Sequence, residues 1–502
     1  MKQKQTYSDT SLPRPSLDEV PTEYRSRIND LFDTWYSVRS RNNELSMYYN
    51  MKNKLKDLGI SIPENMLKVN CIVGWAKKAV DAQAVRSIFD GFVFEGSEDT
   101  ELTMLVNENN LKALYNQACK SALVHGVSAF TVMRGTDAPV KVRAFSANQF
   151  SVLWDKDLGR IACGVVLSNV DNNGNANQYV CHFPDAVLTL TRTASNYWAC
   201  EVERNDMGRP LMEVIVNDPD LDRPLGHSLL SPEIRGIIDK AMRDVLRMEI
   251  GAEFFTFPQR YALGVSEDLF STIPEGAEQD DEGNWIDKDG NPIEPVSNDM
   301  AKFRAYVGAI LAISRDEDGE IPQVGQFSPS NAENFTAVFE NDAQRFSGAT
   351  NVPLAQLGVL SNTYTSSDAL GAANDPLILS VELMNRTNGS ALEEIARMMI
   401  AIRDGKTITE LDDTQLRVQA NFKDPSMPTI SARADAWTKL GASDPSIIGT
   451  RVYYEGVGLS QATIDRLMKE KQQNGAISAL NRIADSIAPT NVYQLPSNEE
   501  SE

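Results

Sequence analysis

Several short stretches of the sequence combine residue types that could do chemistry. Gly405-Lys406-Thr407 has the ending of a phosphate loop, in which backbone N–H groups cradle phosphate and the lysine reaches it. Position 400, where the loop's first glycine belongs, is Ile, and the preceding pattern is helical rather than a strand. The motif therefore reads as a helix-end turn. Asp287-Lys288-Asp289-Gly290 and Asp316-Glu317-Asp318-Gly319 have the look of calcium loops. An EF-hand register would need oxygen ligands at Trp285 and Val296, or at Ser314 and Gly325, and only Ser314 qualifies. Both read as hairpin turns. Cys181 and His182 are adjacent, so in a strand they point to opposite faces and cannot share a metal. With only His125, His182 and His227 in the chain, a Ser/His/Asp triad has almost no candidates. Gly456-Val457-Gly458 lacks the third glycine and the strand of a dinucleotide site, and Glu393-Glu394 is an ordinary polar helix face. The expectation is a protein without catalysis, cofactor or metal.

Composition narrows the class. The 502 residues exceed one ordinary core, so about two to four domains are expected. No run of about 18 apolar residues indicates a membrane-spanning helix. The five cysteines form no C-x-x-C and no even framework, which suits free, mostly buried thiols in a reducing interior. The net charge of −22 excludes binding of DNA by general phosphate attraction. It suits a surface that DNA slides past, and equally plain solubility.

These stretches need elements to hold them. Residues 1–20 read as a disordered arm. Helical periodicity starts at Pro21 and carries Tyr24, Ile28, Leu31, Phe32, Trp35 and Val38. Further helices are expected over Cys71–Phe89 and Leu111–Val124. Alternating strands then run from Ser128 to about Val216, with a hairpin at 154–160. Ser231 caps a helix with Pro232 at its first position, which runs to about Phe255. Its apolar stripe is Ile234, Ile237, Ile238, Ala241, Val245, Met248 and Ala252.

Residues 256–329 read as short strands and turns, with 15 Asp/Glu against 5 Lys/Arg. Ser330-Asn331-Ala332-Glu333 is a capping box. The helix it opens shows Phe335, Val338, Phe339 and Phe346 on one face, with Gly348 at its C-cap. Two helices thus bracket an acidic β insertion. From Phe346 to Ser367 no residue is charged. A helix starting at Thr365-Ser366-Ser367-Asp368 extends toward Arg403, kinked near Ala372 by Pro376. Leu416–Phe422 reads as a strand, and helical segments follow at 430–441, 444–456 and 460–473.

The order and wording of Gly319–Arg403 resemble the portal proteins of long-tailed bacteriophages. Tyr48-Tyr49, Asn70 with Trp75, and Gly91-Phe92 resemble the opening of the same family. Gly358-Val359-Leu360-Ser361-Asn362 and Ser366-Ser367-Asp368 resemble its loop-to-helix junction. The resemblance covers about residues 24–475. It implies an α+β portal-type subunit with wing, stem helices, α/β clip and helical crown. Mapped here, 1–20 is the disordered arm, 21–228 the wing and 229–255 the first stem helix. The clip is 256–329, the second stem helix 330–348 and the tunnel loop 349–366. Residues 367–427 form a long kinked helix and the wing return, 428–475 the crown and 476–502 a mobile tail.

The resemblance further implies a ring of twelve at one capsid vertex, assembled in the host cytoplasm and retained in the virion. Its partners would be the terminase large subunit, a head–tail adaptor, the major capsid and scaffold proteins, and double-stranded DNA moving through the channel. Gln356, Asn362, Thr363, Tyr364 and Thr365 are then expected to line the channel. Asp280, Asp281, Glu282, Trp285, Asp287 and Asp289 are expected to dock partners at the clip. The alternatives are another component of the virion head and a cytosolic hydrolase with a site of another kind.

Overall fold

The computed structural model describes residues 10–55, 71–94, 99–135, 138–193, 195, 197–256, 332–359, 371–426, 428, 430–459 and 463–473, with seven short pieces between 260 and 326. It divides into two compact units, Met1–Pro425 and Ser426–Glu502. Among the described residues no helix is long and apolar enough to cross a membrane.

The first unit is layered. Helix α1 (Thr22–Tyr49) lies against one face of a five-stranded antiparallel meander. That sheet is built from β4 (Phe150–Asp155), β5 (Arg160–Val170), β6 (Ala176–His182), β7 (Ala186–Arg192) and β8 (Trp198–Arg204), in the order of the chain. Alternation along the strands decides the packing. Cys163, Val165, Tyr179, Cys181, Leu188 and Leu190 meet Ile28, Leu31, Phe32 and Trp35 of α1. Val166, Val180 and Val187 point the other way, toward a three-stranded sheet. That sheet has the order β3 (Lys141–Ser146), β2 (Val127–Met133), β9 (Met212–Val216). Its Ala129, Phe145 and Val214 face the meander. Phe130, Val132, Val142 and Ile215 join a helical core on its far side.

That helical core contains α2 (Trp75–Ala84), α3 (Thr100–Glu108) and α4 (Leu111–His125). The long α7 (Asp375–Asp404) completes it with Ile395, Met398 and Met399, all fully buried. Helices α5 (Pro232–Thr256) and α6 (Ala332–Thr350) pack onto the same core. The second unit holds α8 (Ile430–Ser443), α9 (Arg451–Val457) and a helical stretch at 463–473. There the Trp437 ring lies on Gly456, where an added Cβ would come within 1.8 Å of it.

Several expectations change. The arm is packed over residues 10–20: Leu12 and Val20 are buried, and Tyr179 Oη donates to the Pro13 carbonyl at 2.9 Å. Two apolar side chains and a bridge from Ser11 to Asn175 hold a segment whose polar composition suggested an arm. The helix expected to reach Phe89 stops at Ala84. Phe89–Val93 forms β1, paired with β16 (Gln419–Phe422), because Phe89 packs on Phe92, Tyr115 and Phe422. Helix α6 runs through Gly348 and ends where Asn351 turns left-handed at φ 57°. Pro376 opens α7 in its first turn and so kinks nothing, since its missing N–H needs no partner there. Residues 1–9, 360–370 and 474–502 lie outside the described residues, as do Asn70 and the Ser330 cap.

Candidate functional site

The helix pair α5/α6 and the segments it carries are the part of the molecule that the sequence marked for function. Ser231 caps α5, its Oγ accepting from Ile234 N at 3.3 Å. Ile234, Ile237, Ile238, Ala241, Met242 and Leu246 form the buried stripe. From α6, Ala343 and Phe346 are buried against it and Phe339 is half-buried. Trp75 of α2 closes the groove, its ring centroid 5.0 Å from Phe339 and 5.4 Å from Phe346.

Charge is drawn into this seam. Lys240 Nζ lies 2.6 Å from Asp342 Oδ1 and 3.4 Å from Asp244 Oδ2. Arg247 holds the other Asp244 oxygen at 2.6 Å. The side chain of Asp342 is fully buried and that of Asp244 nearly so. Burial pushes the Asp342 carboxyl up, with Asp244 adding to the rise and Lys240 opposing it. Tyr48 Oη donates to Asp239 at 2.7 Å, Tyr49 Oη donates to Asp81 at 3.1 Å, and Arg235 pairs with Glu44 at 2.7 Å. The Tyr-Tyr pair and the Trp singled out in the sequence are therefore joints between α1, α2, α5 and α6.

Beyond the helices the chain runs out and back as a nested antiparallel ladder. β10 (Arg260–Leu263) pairs with β15 (Gln323–Gln326), and β11 (Ser271–Thr272) with β14 (Val296–Ser297). β12 (Glu278–Gln279) pairs with β13 (Trp285–Ile286). Trp285 is half-buried and sits opposite Gln279. Asp280, Asp281, Glu282, Asp287 and Asp289 lie outside the described residues.

After α6 the chain makes a tight turn at Leu354–Leu357, and Gly358 takes φ 82°. Gln356 Nε2 donates to Asn374 Oδ1 at 3.1 Å, which ties the start of the loop to the foot of α7. Asn362, Thr363, Tyr364 and Thr365 lie outside the described residues. Helix α7 is clamped along its length. Asn388 Oδ1 accepts from Val216 N at 3.0 Å, and Asn385 accepts from Ser87 at 2.6 Å. Arg209 bridges Glu213 and Glu394, and Arg403 holds Asp99 at 2.9 Å. Sequence reasoning missed these clamps; polar residues spaced along an otherwise buried helix were the available signal.

The chemical motifs resolve as structure. Gly405 is the left-handed C-cap of α7, and Lys406 N bonds back to the Ala401 carbonyl at 2.9 Å. A helix C-terminus presents carbonyls, the wrong polarity for phosphate. Cys181 faces α1 and His182 faces the second sheet, as the alternation requires. Burial lowers His182 to about 4 and pushes the Cys119 thiol up to about 12. Neither is poised to react. Among the described residues no group of three His, Cys, Asp or Glu could hold a metal.

With this geometry in place, the comparisons decide the class. The family model "Phage portal protein, SPP1 Gp6-like" matches residues 29–474. The chain belongs to this phage portal protein family. A portal protein of Mycobacterium phage D29 is 26% identical over 479 residues, spanning 93% of this chain and 92% of the relative. One from Mycobacterium phage L5 is 26% identical over 450 residues, spanning 87% and 86%. Among solved structures, a chain from the neck of a native GTA particle computed with C12 symmetry is 12% identical. It covers 77% of this chain and 90% of that one at a TM-score of 0.41. Membership makes this portal-family chain a structural component of the phage particle rather than an enzyme, and the hydrolase alternative falls.

Proposed function

We propose that this chain forms a ring of twelve at one capsid vertex, through which DNA is packaged and later ejected. The observation that carries the reading is the α5/α6 pair bracketing a nested, acidic β insertion, followed by the uncharged run from Phe346 to Ser367. In this reading α5 and α6 are the stem and residues 256–329 the clip. The clip is the docking surface for the terminase large subunit and a head–tail adaptor, with Trp285 as anchor and Asp280, Asp281, Glu282, Asp287 and Asp289 as charged rim. The layered sheets and α1 form the wing, which meets the capsid and scaffold proteins. Residues 428–475 form the crown. Assembly takes place in the host cytoplasm.

Asn362, Thr363, Tyr364 and Thr365 line the channel. DNA must pass without strong phosphate ligands, because each cationic contact would hold it. Gln356 belongs to the same segment and works as a clasp on Asn374. The purified chain should run as a ring of about twelve copies by light scattering. A sharp 55.5 kDa monomer at every concentration and salt would refute the assignment. Thr363→Lys with Thr365→Lys should leave the rings intact and stall packaging, most severely at low salt. Packaging at the normal rate with both lysines in place would take these residues off the channel wall.

A further inference from the structure

A second cleft lies in the layered part of the first unit, away from α6 and its loop. It has a volume of about 420 Å³ and opens between α1, the edge strand β4 and the turn at 222–226. Val38, Val127, Phe150, Val152 and Leu225 give it an apolar lining, with Trp154 to one side. Its exposed lining residues are charged: Arg41, Lys156 and Arg223, with Asp222 as the carboxylate among them. Among the described residues, neither Arg41 nor Arg223 forms an ion pair, and Arg41 finds only the side chain of Asn42, at 3.5 Å. Three cations facing one opening are unusual in a chain of net charge −22.

The walls are preformed. Asp220 Oδ1 accepts from Asp222 N at 2.8 Å and from Arg223 N at 2.7 Å, and Asp220 Oδ2 meets His227 Nε2 at 2.7 Å. Gly226 sits at φ 75°, so close to the next layer that a Cβ would fall 2.3 Å from the Asn217 carbonyl. A wall already in place adds little ordering cost on binding. Within the cleft Ser151 is 5% exposed and its Oγ has no hydrogen-bond partner. At the tip of the same turn Leu221 stands fully exposed.

We propose that this cleft is a docking site for an acidic segment of another protein that carries one bulky apolar side chain. The apolar residue enters the cleft, and flanking carboxylates meet Arg41, Lys156 and Arg223. Charge complementarity selects the occupant. The volume suits one large side chain rather than a bare phosphate, and the apolar lining gives nothing to a nucleic-acid backbone. This inference is independent of the channel assignment.

The test uses the full chain in its assembled form and a labelled peptide with one tryptophan between two pairs of glutamates. Fluorescence anisotropy should show saturable binding. Tryptophan→alanine in the peptide, and Arg41→Glu with Arg223→Glu in the protein, should each weaken it by about tenfold or more. A peptide with lysines in place of the glutamates should not bind. If the charge-reversed variant misfolds, Arg41→Gln with Arg223→Gln removes the two charges at exposed positions instead and should weaken binding without lowering the melting temperature. The proposal is overturned by no saturable binding, or by equal binding to wild type and variants. It is also overturned if a short DNA duplex binds in the peptide's place and is lost on the same variants.

Discussion

The seam between α5 and α6 and the mouth of the α1–β4 cleft each crowd several charges together, and they treat them in opposite ways. In the seam two nearly buried carboxylates share Lys240, and Arg247 closes on Asp244, so each carboxylate has a cation within the subunit. At the cleft Arg41 and Arg223 have no carboxylate within ion-pairing distance among the described residues, and the turn holding Arg223 is rigid. Internal pairing marks a joint that fixes two helices at one spacing. Unpaired charge on a stiff frame marks a surface waiting for a partner. The two regions should therefore fail differently when mutated: the seam in stability, the cleft in binding.

The largest effect is expected at the centre of the seam. Trp75 is 5% exposed and touches both Phe339 and Phe346. Trp75→Ala leaves a cavity between three helices and should cost about 3–5 kcal/mol, read as a lower unfolding midpoint of the first unit. An unchanged midpoint would mean that the seam is not a packed joint.

Lys240→Met comes next. It leaves Asp342 and Asp244 facing each other without their shared ammonium. Breaking a buried pair costs about 3–5 kcal/mol, and the partial exposure of Lys240 places this case at the low end. The pH dependence has a definite sign. Asp342 has a raised folded pKa, so the folded chain holds its proton more tightly than the unfolded one. Its contribution is most favourable below the unfolded value of 3.8 and is lost as pH rises through the folded value. Without Lys240 that folded value climbs further. The stability gap between variant and wild type should thus be small near pH 4 and widen toward neutrality. Asp342→Asn in the Lys240→Met background should recover part of the loss. A gap independent of pH would show that Lys240 acts through packing alone.

What the sequence disclosed follows the same division. Periodicity located α1, α5, α6 and the strands, because one buried stripe or face repeats at 3.6 or 2 residues. Ser231 and Pro232 placed the start of α5 because capping chemistry is local. Local signals misjudged Gly348 and Pro376, since each residue is also compatible with a role the tertiary fold prefers. A glycine can sit inside a helix held by Phe346, and a proline can open one. The clip and channel candidates were legible as composition alone, an acidic excess and an uncharged run. The cleft was not legible at all. Arg41, Ser151 and Arg223 are far apart in the chain, and only the stacking of α1, β4 and the turn brings them together.

The smallest effect on stability should come from Leu221→Ser. Leu221 is wholly exposed, and the turn that presents it is held by Asp220 and the glycine at 226, not by the leucine. Removing it takes no apolar area out of the core, so the unfolding midpoint should move by no more than about 0.5 kcal/mol equivalent. If the turn is a partner surface, the same substitution should weaken the acidic peptide by a factor of about two to five, since a rim contact adds less than the central anchor. A marked loss of stability would place Leu221 in an internal contact of the assembled protein and move the comparison with the seam from binding to packing. Unchanged stability with unchanged peptide affinity would confine the docking surface to the cleft itself and its three cations.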